Sequence, residues 1–272
     1  QFPYMLYLRG VNAFGHISSC GGSIIHRSWG LTSARCTAQR IVLMIRAGMV
    51  NVNRPRVFFE TNAYYTHPDY IDDLQPISQP FDISLIQFNK ELAFDNFIQP
   101  IRLQRSADMD RDYSGVKMTT SGWGVTWTEG PVVENLNWVN LVGISNFVCL
   151  LLFNSNFLVR SSTICAGPYN VTSQSICSGD SGVPLTTVDI DGNISQVGIG
   201  SFVSHFGCHV GFPGAFIRPG YYHDWIHHIT GIDFDWGRSS SPRAADDVEH
   251  PAVVVDMPLT LKQHYTKSLE SQ

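Results

Sequence analysis

The chain has 272 residues, of which 43% are hydrophobic, and a formal net charge of -5. This length can bury a large core, as one big domain or as two lobes. No basic run points to nucleic acid, and no apolar stretch approaches the roughly 20 residues of a membrane-spanning helix. The apolar run at residues 4–8 is too short for a signal peptide. Because the chain opens with Gln1 instead of methionine, we interpret it as a processed or trimmed product.

Short runs rich in β-branched and aromatic residues, separated by turn signals, follow one another along most of the chain. The first series is 4–8, 22–25, 30–32, 41–47, 58–65 and 83–88. The second series is 117–123, 136–142, 163–166, 183–187, 196–204 and 215–218. Because no long segment of helical period interrupts either series, the pattern predicts an all-β chain of barrel or sandwich type.

The first convincing helix covers residues 222–230, and Gly231 follows it in the position of a C-terminal stop. Beyond Gly231 the composition changes to a Ser/Pro-rich segment at 238–243 and an acidic patch at 246–249. Such composition does not favour a packed element, so we expect residues 232–272 to form a largely disordered extension. Residues 251–256 are the exception, since Pro-Ala-Val-Val-Val-Asp suits a short edge strand.

Six cysteines are present, and none has the Cys-x-x-Cys spacing of a zinc site. We interpret them as three disulfides formed in an oxidising compartment, although the sequence alone leaves their connectivity open. Two glycosylation sequons, at Asn170 and Asn193, agree with a secreted, extracellular protein. Such triplets are common by chance and add little weight.

Residues 177–185, Cys-Ser-Gly-Asp-Ser-Gly-Val-Pro-Leu, have the pattern of an exposed nucleophile on a tight turn. Glycine allows the backbone to approach a substrate closely. The N–H groups of Gly179 and Ser181 are candidates for an oxyanion hole, which would stabilise an acyl-transfer intermediate. A Gly-Asp-Ser-Gly tetrapeptide is weak evidence by itself, because the same residues are ordinary in turns. The interpretation of Ser181 as a nucleophile therefore depends on other segments of the sequence.

Seven other segments match landmarks of a known family in the expected order. They are Cys-Gly-Gly-Ser-Ile at 20–24, Leu-Thr-Ser-Ala-Arg-Cys at 31–36, His-Pro at 67–68, Phe-Asp-Ile-Ser-Leu at 81–85, Thr-Ser-Gly-Trp-Gly at 120–124, Thr-Ile-Cys-Ala-Gly at 163–167 and Pro-Gly-Ala-Phe-Ile-Arg at 213–218. Over residues 2–231 the chain thus resembles the chymotrypsin/trypsin family of serine proteases. Ser-Phe-Val-Ser at 201–204 and Ile-Thr-Gly-Ile at 229–232 are most similar to its invertebrate chymotrypsin- and elastase-like members.

The resemblance implies a domain over residues 1–231 with two antiparallel six-stranded β-barrels and the active site between them. The first barrel would cover about 1–105 and the second about 106–220, with the terminal helix at 222–230. The resemblance also implies the disulfide pairs Cys20–Cys36, Cys149–Cys165 and Cys177–Cys208.

In this family a serine is the nucleophile, a histidine is its general base and an aspartate orients the histidine. The resemblance places Ser181 at the serine, Asp82 at the aspartate and Arg35 at the histidine. Arginine stays protonated in proteins, so it cannot accept the serine proton, and the hydroxyl remains a poor nucleophile. We expect Arg35 instead to form a bidentate ion pair with Asp82. His26 and His67 are the other histidines weighed as a base, and both are better explained as ordinary strand or surface residues.

Two more positions depart from the family. The chain begins Gln-Phe-Pro-Tyr, whereas the family begins Ile-Val-Gly-Gly, whose α-amino group pairs with the acid before the nucleophile, here Asp180. If the protein lacks that segment, Asp180 lacks its partner and the oxyanion hole is unformed. If only the printed sequence lacks it, this departure from the family has no consequence. Val183 stands where the family usually has glycine and would crowd the stretch behind Ser181.

The resemblance also identifies a specificity pocket with Ser175 at its base and Val203 and Gly214 as its walls. Because position 175 carries no carboxylate, the pocket should prefer small or medium apolar groups.

We expect no metal or other cofactor. His223 and His227 have the i, i+4 spacing of metal ligands, but without an evident third ligand a solvated helix explains them better. The loop around Glu60 lacks the paired acids of a calcium loop.

Our leading hypothesis is a secreted serine protease homologue that has lost catalysis. It would act as a cofactor, scaffold or decoy by binding a protein partner or peptide in the cleft between the barrels, and not nucleic acid or membrane. The alternatives are an active or weakly active endopeptidase of chymotrypsin/elastase-like specificity, and a structural or storage protein.

Overall fold

The computed structural model describes residues 2–131, 133–155, 157–170, 174–204 and 206–237. The expected disorder of the extension and the strand suggested at 251–256 fall on residues 238–272, outside the described residues. Among the described helices, none has the length and apolar content to cross a membrane.

The strands between residues 5 and 87 form one curled antiparallel sheet. Its strands are β1 Met5–Asn12, β2 Ile17–His26, β3 Trp29–Thr32, β4 Arg40–Ala47, β5 Val57–Thr61, β6 Tyr64–Thr66 and β7 Ser84–Gln87. Their order across the sheet is β5-β4-β1-β2-β3-β7-β6. Leu8 is paired with Cys20 on one side and with Ile45 on the other.

This first sheet differs from the closed six-stranded barrel implied by the resemblance. In the described part of the chain no ladder joins its two edges, β5 and β6. These edges are consecutive segments separated by residues 62–63, so a bend in the chain connects them. The Thr61 hydroxyl fixes this bend, because it donates to the Gln87 carbonyl at 2.9 Å and accepts from the Ala63 N–H at 3.1 Å. The single run predicted at 58–65 is therefore two strands.

The strands between residues 102 and 217 form a second sheet, which closes into a barrel. Its strands are β8 Arg102–Leu103, β9 Lys117–Gly122, β10 Asn137–Ile144, β11 Thr163–Pro168, β12 Pro184–Val188, β13 Ile194–Phe202 and β14 Gly214–Ile217. The order is β12-β9-β10-β11-β14-β13-β8, and pairing of β12 with β13 closes six strands into a barrel. Strand β8 adds to β13 in parallel. The all-β fold with a six-stranded antiparallel barrel is confirmed here.

The described part of the chain also has three short α-helices: α1 Ala34–Thr37, α2 Asn146–Phe153 and α3 His223–Thr230. Three single-turn 3-10 helices are at Asp72–Leu74, Ser106–Asp108 and Pro219–Tyr222. Helix α3 was predicted, and it ends at Gly231, whose φ of 70° favours glycine. Helix α2 was missed because its sequence, Asn-Phe-Val-Cys-Leu-Leu-Leu-Phe, has no polar face and no helical period. Its ends do carry signals: the Ser145 hydroxyl accepts the Val148 N–H, and Asn154 adopts a left-handed conformation.

The two sheets share one apolar core. Leu31 and Leu85 from the first sheet and Leu185, Ile199 and Phe216 from the second are at most 1% exposed and belong to the same cluster. Burying an aliphatic or aromatic side chain of this kind contributes about 1.5–3 kcal/mol. The shared core fixes the position of each sheet relative to the other and so defines the cleft between them.

The packed domain continues past the predicted boundary at Gly231, as far as Gly237. Asp235 accepts the Ser106 N–H at 2.8 Å, and the Trp236 indole N–H donates to the Leu103 carbonyl at 2.8 Å. The Arg102 guanidinium lies 3.8 Å from the centroid of the Trp236 ring. These contacts attach the first six residues of the predicted extension to the second barrel.

All three predicted disulfides are confirmed: Cys20–Cys36, Cys149–Cys165 and Cys177–Cys208. The first anchors α1 to β2, the second joins α2 to β11, and the third joins the segment before Ser181 to the segment after β13.

Candidate active-site cleft

Helix α1 places Arg35 at the edge of the first sheet. It begins directly after β3 and Ser33, and the Cys20–Cys36 disulfide ties it to β2. The Thr37 hydroxyl donates to the Ser84 hydroxyl of β7 at 2.8 Å, which brings the helix against the strand that follows Asp82. Arg35 and Asp82 are thus held together by the secondary structure around them.

Arg35 binds Asp82 through both its backbone and its side chain. The backbone N–H donates to Oδ1 at 2.9 Å, and the guanidinium Nε donates to Oδ2 at 3.2 Å. The expected ion pair is present, but the guanidinium is not bidentate on the carboxylate. Its Nη2 turns instead to the Ser78 hydroxyl at 3.3 Å.

Asp82 is fully buried and receives a further hydrogen bond from the second barrel. The Ser201 hydroxyl donates to its Oδ2 at 2.6 Å. Burial raises the pKa of Asp82, and the nearby Arg35 charge together with these hydrogen bonds offsets part of that rise. The carboxylate is therefore satisfied by Arg35 at the edge of the first sheet and by Ser201 from the second barrel.

Ser181 sits on a turn that only glycine-rich sequence can form. Gly179 and Gly182, on either side, have φ angles of 94° and 85°. A Cβ on Gly182 would lie 2.1 Å from the Thr32 Oγ1 and 2.4 Å from the Gly21 carbonyl oxygen. The Ser181 carbonyl accepts the Gly21 N–H at 2.8 Å, which fixes the turn against β2.

Arg35 and Ser181 line the same cleft, a cavity of about 330 Å³. Its polar lining residues are Arg35, Ser78, Ser178, Gly179, Ser181 and Ser201, and its apolar ones are Ile176, Cys177, Phe202 and Val203. No acidic residue and no histidine is among the described residues that line it. Both the part of the chain with the first sheet and the part with the second barrel contribute to the cleft, and its polar wall is rich in hydroxyl groups.

The predicted specificity-pocket residues are divided between two cavities. Val203 lines the cleft, whereas Ser175 lines a second cavity of about 330 Å³, which Asp180 shares. Ile176 lies between and lines both, and a Cβ on Gly214 would lie 2.8 Å from its Cγ1. Ile176 thus packs against Gly214 in the space between Ser175 and Val203.

Asp180 points away from the cleft, towards the second cavity. Its carboxylate accepts the Gly124 N–H at 2.8 Å and the Cys177 N–H at 3.0 Å. Burial raises its pKa to about 6, although the two N–H groups oppose the rise. No positively charged side chain is among the described residues around this cavity.

Val183 is accommodated without crowding Ser181, because glycines line its surroundings. Its side chain is fully buried. A Cβ on Gly21, Gly122 or Gly200 would lie 2.4, 3.1 or 3.0 Å from a Val183 methyl carbon. Three strands therefore leave room for the valine where the resemblance led us to expect crowding.

The four histidines considered in the sequence analysis do not line the cleft. His67 stacks on Phe81 with ring centroids 5.2 Å apart and also contacts Trp225, and burial lowers its pKa. His26 packs edge-on against Phe234. His223 is buried with its Nε2 at 2.6 Å from the Gln104 carbonyl oxygen, whereas His227 is exposed.

The other predicted positions are on the surface. Asn170, Asn193 and Glu60 are exposed. Within the described ranges, no three His, Cys, Asp or Glu side chains are grouped so that they could hold a metal ion.

Sequence reasoning missed the two cleft serines that bind Arg35 and Asp82, which are Ser78 and Ser201. Ser201 belongs to the Ser-Phe-Val-Ser segment at 201–204, so the family resemblance could have indicated its place in the cleft. Nothing in the sequence indicated its hydrogen bond to Asp82. Ser78, in the irregular segment before Asp82, had none.

The comparisons with known proteins agree with this geometry. The trypsin family model matches residues 1–226. Serine protease 1 of Drosophila melanogaster is 34% identical over 221 residues, covering 79% of this chain and 77% of its own. The collagenase of Hypoderma lineatum is 33% identical over 215 residues, covering 79% and 77%. The solved structure of HL collagenase matches with a TM-score of 0.74 at 29% identity, covering 85% of this chain and 94% of its own. The chain therefore belongs to the trypsin family of serine proteases.

Proposed function

We propose that this protein is a catalytically inactive member of the trypsin family, which acts by binding a protein or peptide segment in the cleft. The observation that carries the proposal is the contact of Arg35 with Asp82. An arginine bound to the aspartate by its main chain and side chain occupies the space in which a general base would have to lie. A guanidinium cannot take a proton from Ser181 at any working pH.

The surroundings of Ser181 support the same proposal. The described lining of the cleft contains no histidine. His67, which is partly buried, is held in an aromatic cluster with Phe81 and Trp225. The cleft itself remains open, with a volume of about 330 Å³. Peptide segments bind in the inter-barrel cleft of trypsin-like proteases. A protein that only binds them would keep this cleft and lose the ability to cleave the peptide bond.

An endopeptidase with weak activity is the second candidate. It is favoured by the relatives named as serine proteases and a collagenase, and by the glycine-rich turn that presents Ser181 to the cleft. Without a general base, binding and oxyanion stabilisation alone can leave a residual acceleration of roughly 10³–10⁴-fold over water.

Labelling of Ser181 separates the two candidates. A fluorophosphonate probe reacts with a serine hydroxyl whose proton is removed during the attack. We expect the unmodified protein to stay unlabelled and to cleave peptide substrates no faster than Ser181→Ala. Rapid labelling that Ser181→Ala abolishes would establish the endopeptidase instead.

We place this function outside the cell. Three disulfides need an oxidising compartment to form and persist, and both sequon asparagines are exposed. The role would be that of a cofactor, scaffold or decoy. Mass spectrometry of the protein from its source, with and without glycosidase, would test the placement.

A further inference from the structure

We infer that the cleft binds the free carboxylate end of a peptide or protein chain, and that Arg35 is the cation that recognises it. This inference rests on the proposed function, because it names the ligand of the same cleft.

Arg35 has donors left over after it has bound Asp82. A guanidinium carries five N–H groups. The Nε–H is engaged by Asp82 and one Nη2–H by Ser78. The other N–H groups have no acceptor within the described residues. The Arg35 side chain is 23% exposed and lines the cleft, whereas the Asp82 side chain is 0% exposed. The ion pair therefore presents its positive side to a ligand and keeps its negative side covered.

The rest of the polar wall also offers donors. The hydroxyls of Ser178 and Ser181 belong to residues that line the cavity, as does the backbone of Gly179. In the described part of the chain, no acceptor is bound to the N–H of Gly179 or of Ser181. Among the described residues that line the cavity, none has an acidic side chain. A cation, hydroxyls and unpaired N–H groups without a competing negative charge favour an anion, and bonds between charged partners are the stronger class of hydrogen bond.

The other wall selects which anion fits. Ile176 and Phe202 are 4% and 5% exposed, and with Val203 they form the apolar lining of the cleft. A C-terminal residue carries its carboxylate and its side chain on the same carbon atom, so one residue can occupy both walls. An inorganic anion would use only the polar wall, and an internal peptide bond carries no charge. The cavity of about 330 Å³ suits a small or medium apolar terminal residue.

Two matched peptides test the inference on the complete protein. They are acetyl-Ala-Ala-Ala-Val with a free carboxylate and the same peptide with a C-terminal amide, titrated calorimetrically at pH 7 and low salt. A hydrogen bond to a charged group adds enough free energy that we expect the free acid to bind at least about tenfold more tightly. Added salt should weaken the binding of the acid more than that of the amide, because screening acts on charge.

Substitutions then assign the preference to a residue. Arg35→Gln should remove the difference between acid and amide, since glutamine keeps a donor for Asp82 but no charge. Arg35→Lys should keep part of the difference. The control is Arg54→Gln, which removes an exposed arginine that lines another cavity, and it should leave the difference unchanged. If Arg35→Gln does not fold, the peptide comparison on the unmodified protein still decides.

Equal binding of the acid and the amide would overturn the inference while leaving the proposed function in place, and so would binding of neither peptide. Inorganic phosphate that binds as tightly as the free acid would show a general anion site and overturn the assignment to a chain terminus. Conversion of the amide to the acid, followed by mass spectrometry, would instead reveal hydrolysis and contradict the proposed function.

Discussion

Arg35 donates hydrogen bonds to both oxygens of the Asp82 carboxylate, one from its backbone N–H at 2.9 Å and the other from its guanidinium Nε at 3.2 Å. The main-chain contact depends only on the position of α1 and would survive any substitution that preserves this turn. The side-chain contact supplies the compensating charge. The carboxylate, at 0% exposure, has little water to replace that charge.

Replacing Arg35 with alanine should therefore destabilise the protein. Removing one partner of a buried ion pair costs about 3–5 kcal/mol, because the other charge stays buried and uncompensated. We expect about 3 kcal/mol, at the lower end, because the Ser201 hydroxyl and the residue 35 N–H continue to bind Asp82. Arg35→Lys should cost less, since it keeps a positive charge. Urea unfolding measures these differences.

Arg27→Ala is the matched control. Arg27 lies 3.4 Å from Glu91, but the two side chains are 52% and 65% exposed. Exposed pairs contribute about 0–1 kcal/mol, so this substitution should change the free energy of unfolding little. Equal effects of the two substitutions would mean that Arg35 does not compensate a buried charge.

Asp180 should make the stability depend on pH. Its pKa is about 6 in the folded protein and about 3.9 when unfolded. The folded state thus holds a proton that the unfolded state has lost between these values. The stabilisation that this proton gives the folded state is complete below about pH 4 and disappears as the pH rises through about 6. Because Asp180 borders an open cavity, we expect a loss of only about 2 kcal/mol.

Asp180→Asn isolates this effect, since asparagine stays neutral at every pH. The difference in unfolding free energy between the unmodified protein and Asp180→Asn should change by about 2 kcal/mol from pH 4 to pH 7, in the direction that favours the variant at pH 7. Parallel stability profiles would show that Asp180 does not carry the raised pKa.

Much of the fold follows from local sequence. Each of the twelve predicted strand runs overlaps a strand of the structure, because β-branched and aromatic residues between turn signals mark strands directly. The split of 58–65 into β5 and β6 was not predictable, since it depends on a hydrogen bond from Thr61 to Gln87, 26 residues away. Helix α2 escaped because tertiary packing of Phe153 on Phe202 stabilises it, and its apolar sequence lacks the helical period.

The site divides in the same way. The family resemblance was enough to predict Arg35 beside Asp82, because both align with positions that are in contact in that family. The prediction of a bidentate ion pair was wrong, because Ser78, which comes from an irregular segment, binds the guanidinium Nη2. The placement of Ser175 was also beyond the sequence. Side-chain volume decided it, because Ile176 fills the space beside Gly214.

Gly200 should be intolerant of even a methyl group, because Val183 depends on the space it leaves. A Cβ at this position would lie 2.8 Å from the Asp180 carbonyl oxygen and 3.0 Å from a Val183 methyl carbon. We expect Gly200→Ala to cost about 1–3 kcal/mol, as overpacked cores do. Gly167→Ala is the control: Gly167 is also a buried strand glycine, but a Cβ there meets no atom within 4 Å. The midpoint of urea unfolding should fall for the first substitution and stay or rise for the second.

Arg35→His should give Ser181 a reactivity that the unmodified protein lacks. The substitution places an imidazole next to Asp82, on the wall that Arg35 and Ser181 share. One ring nitrogen can then donate to the carboxylate while the other accepts the serine proton. General-base catalysis contributes about 10²–10⁴-fold, so we expect fluorophosphonate labelling to accelerate within that range. Arg35→Gln, which removes the guanidinium without adding a base, should stay unlabelled, as should Arg35→His combined with Ser181→Ala. If Arg35→His is not labelled, the missing base is not the only defect. Labelling that appears only after an Ile-Val-Gly-Gly start is added would identify the second defect. It would be the carboxylate of Asp180, which has no described cation in its cavity.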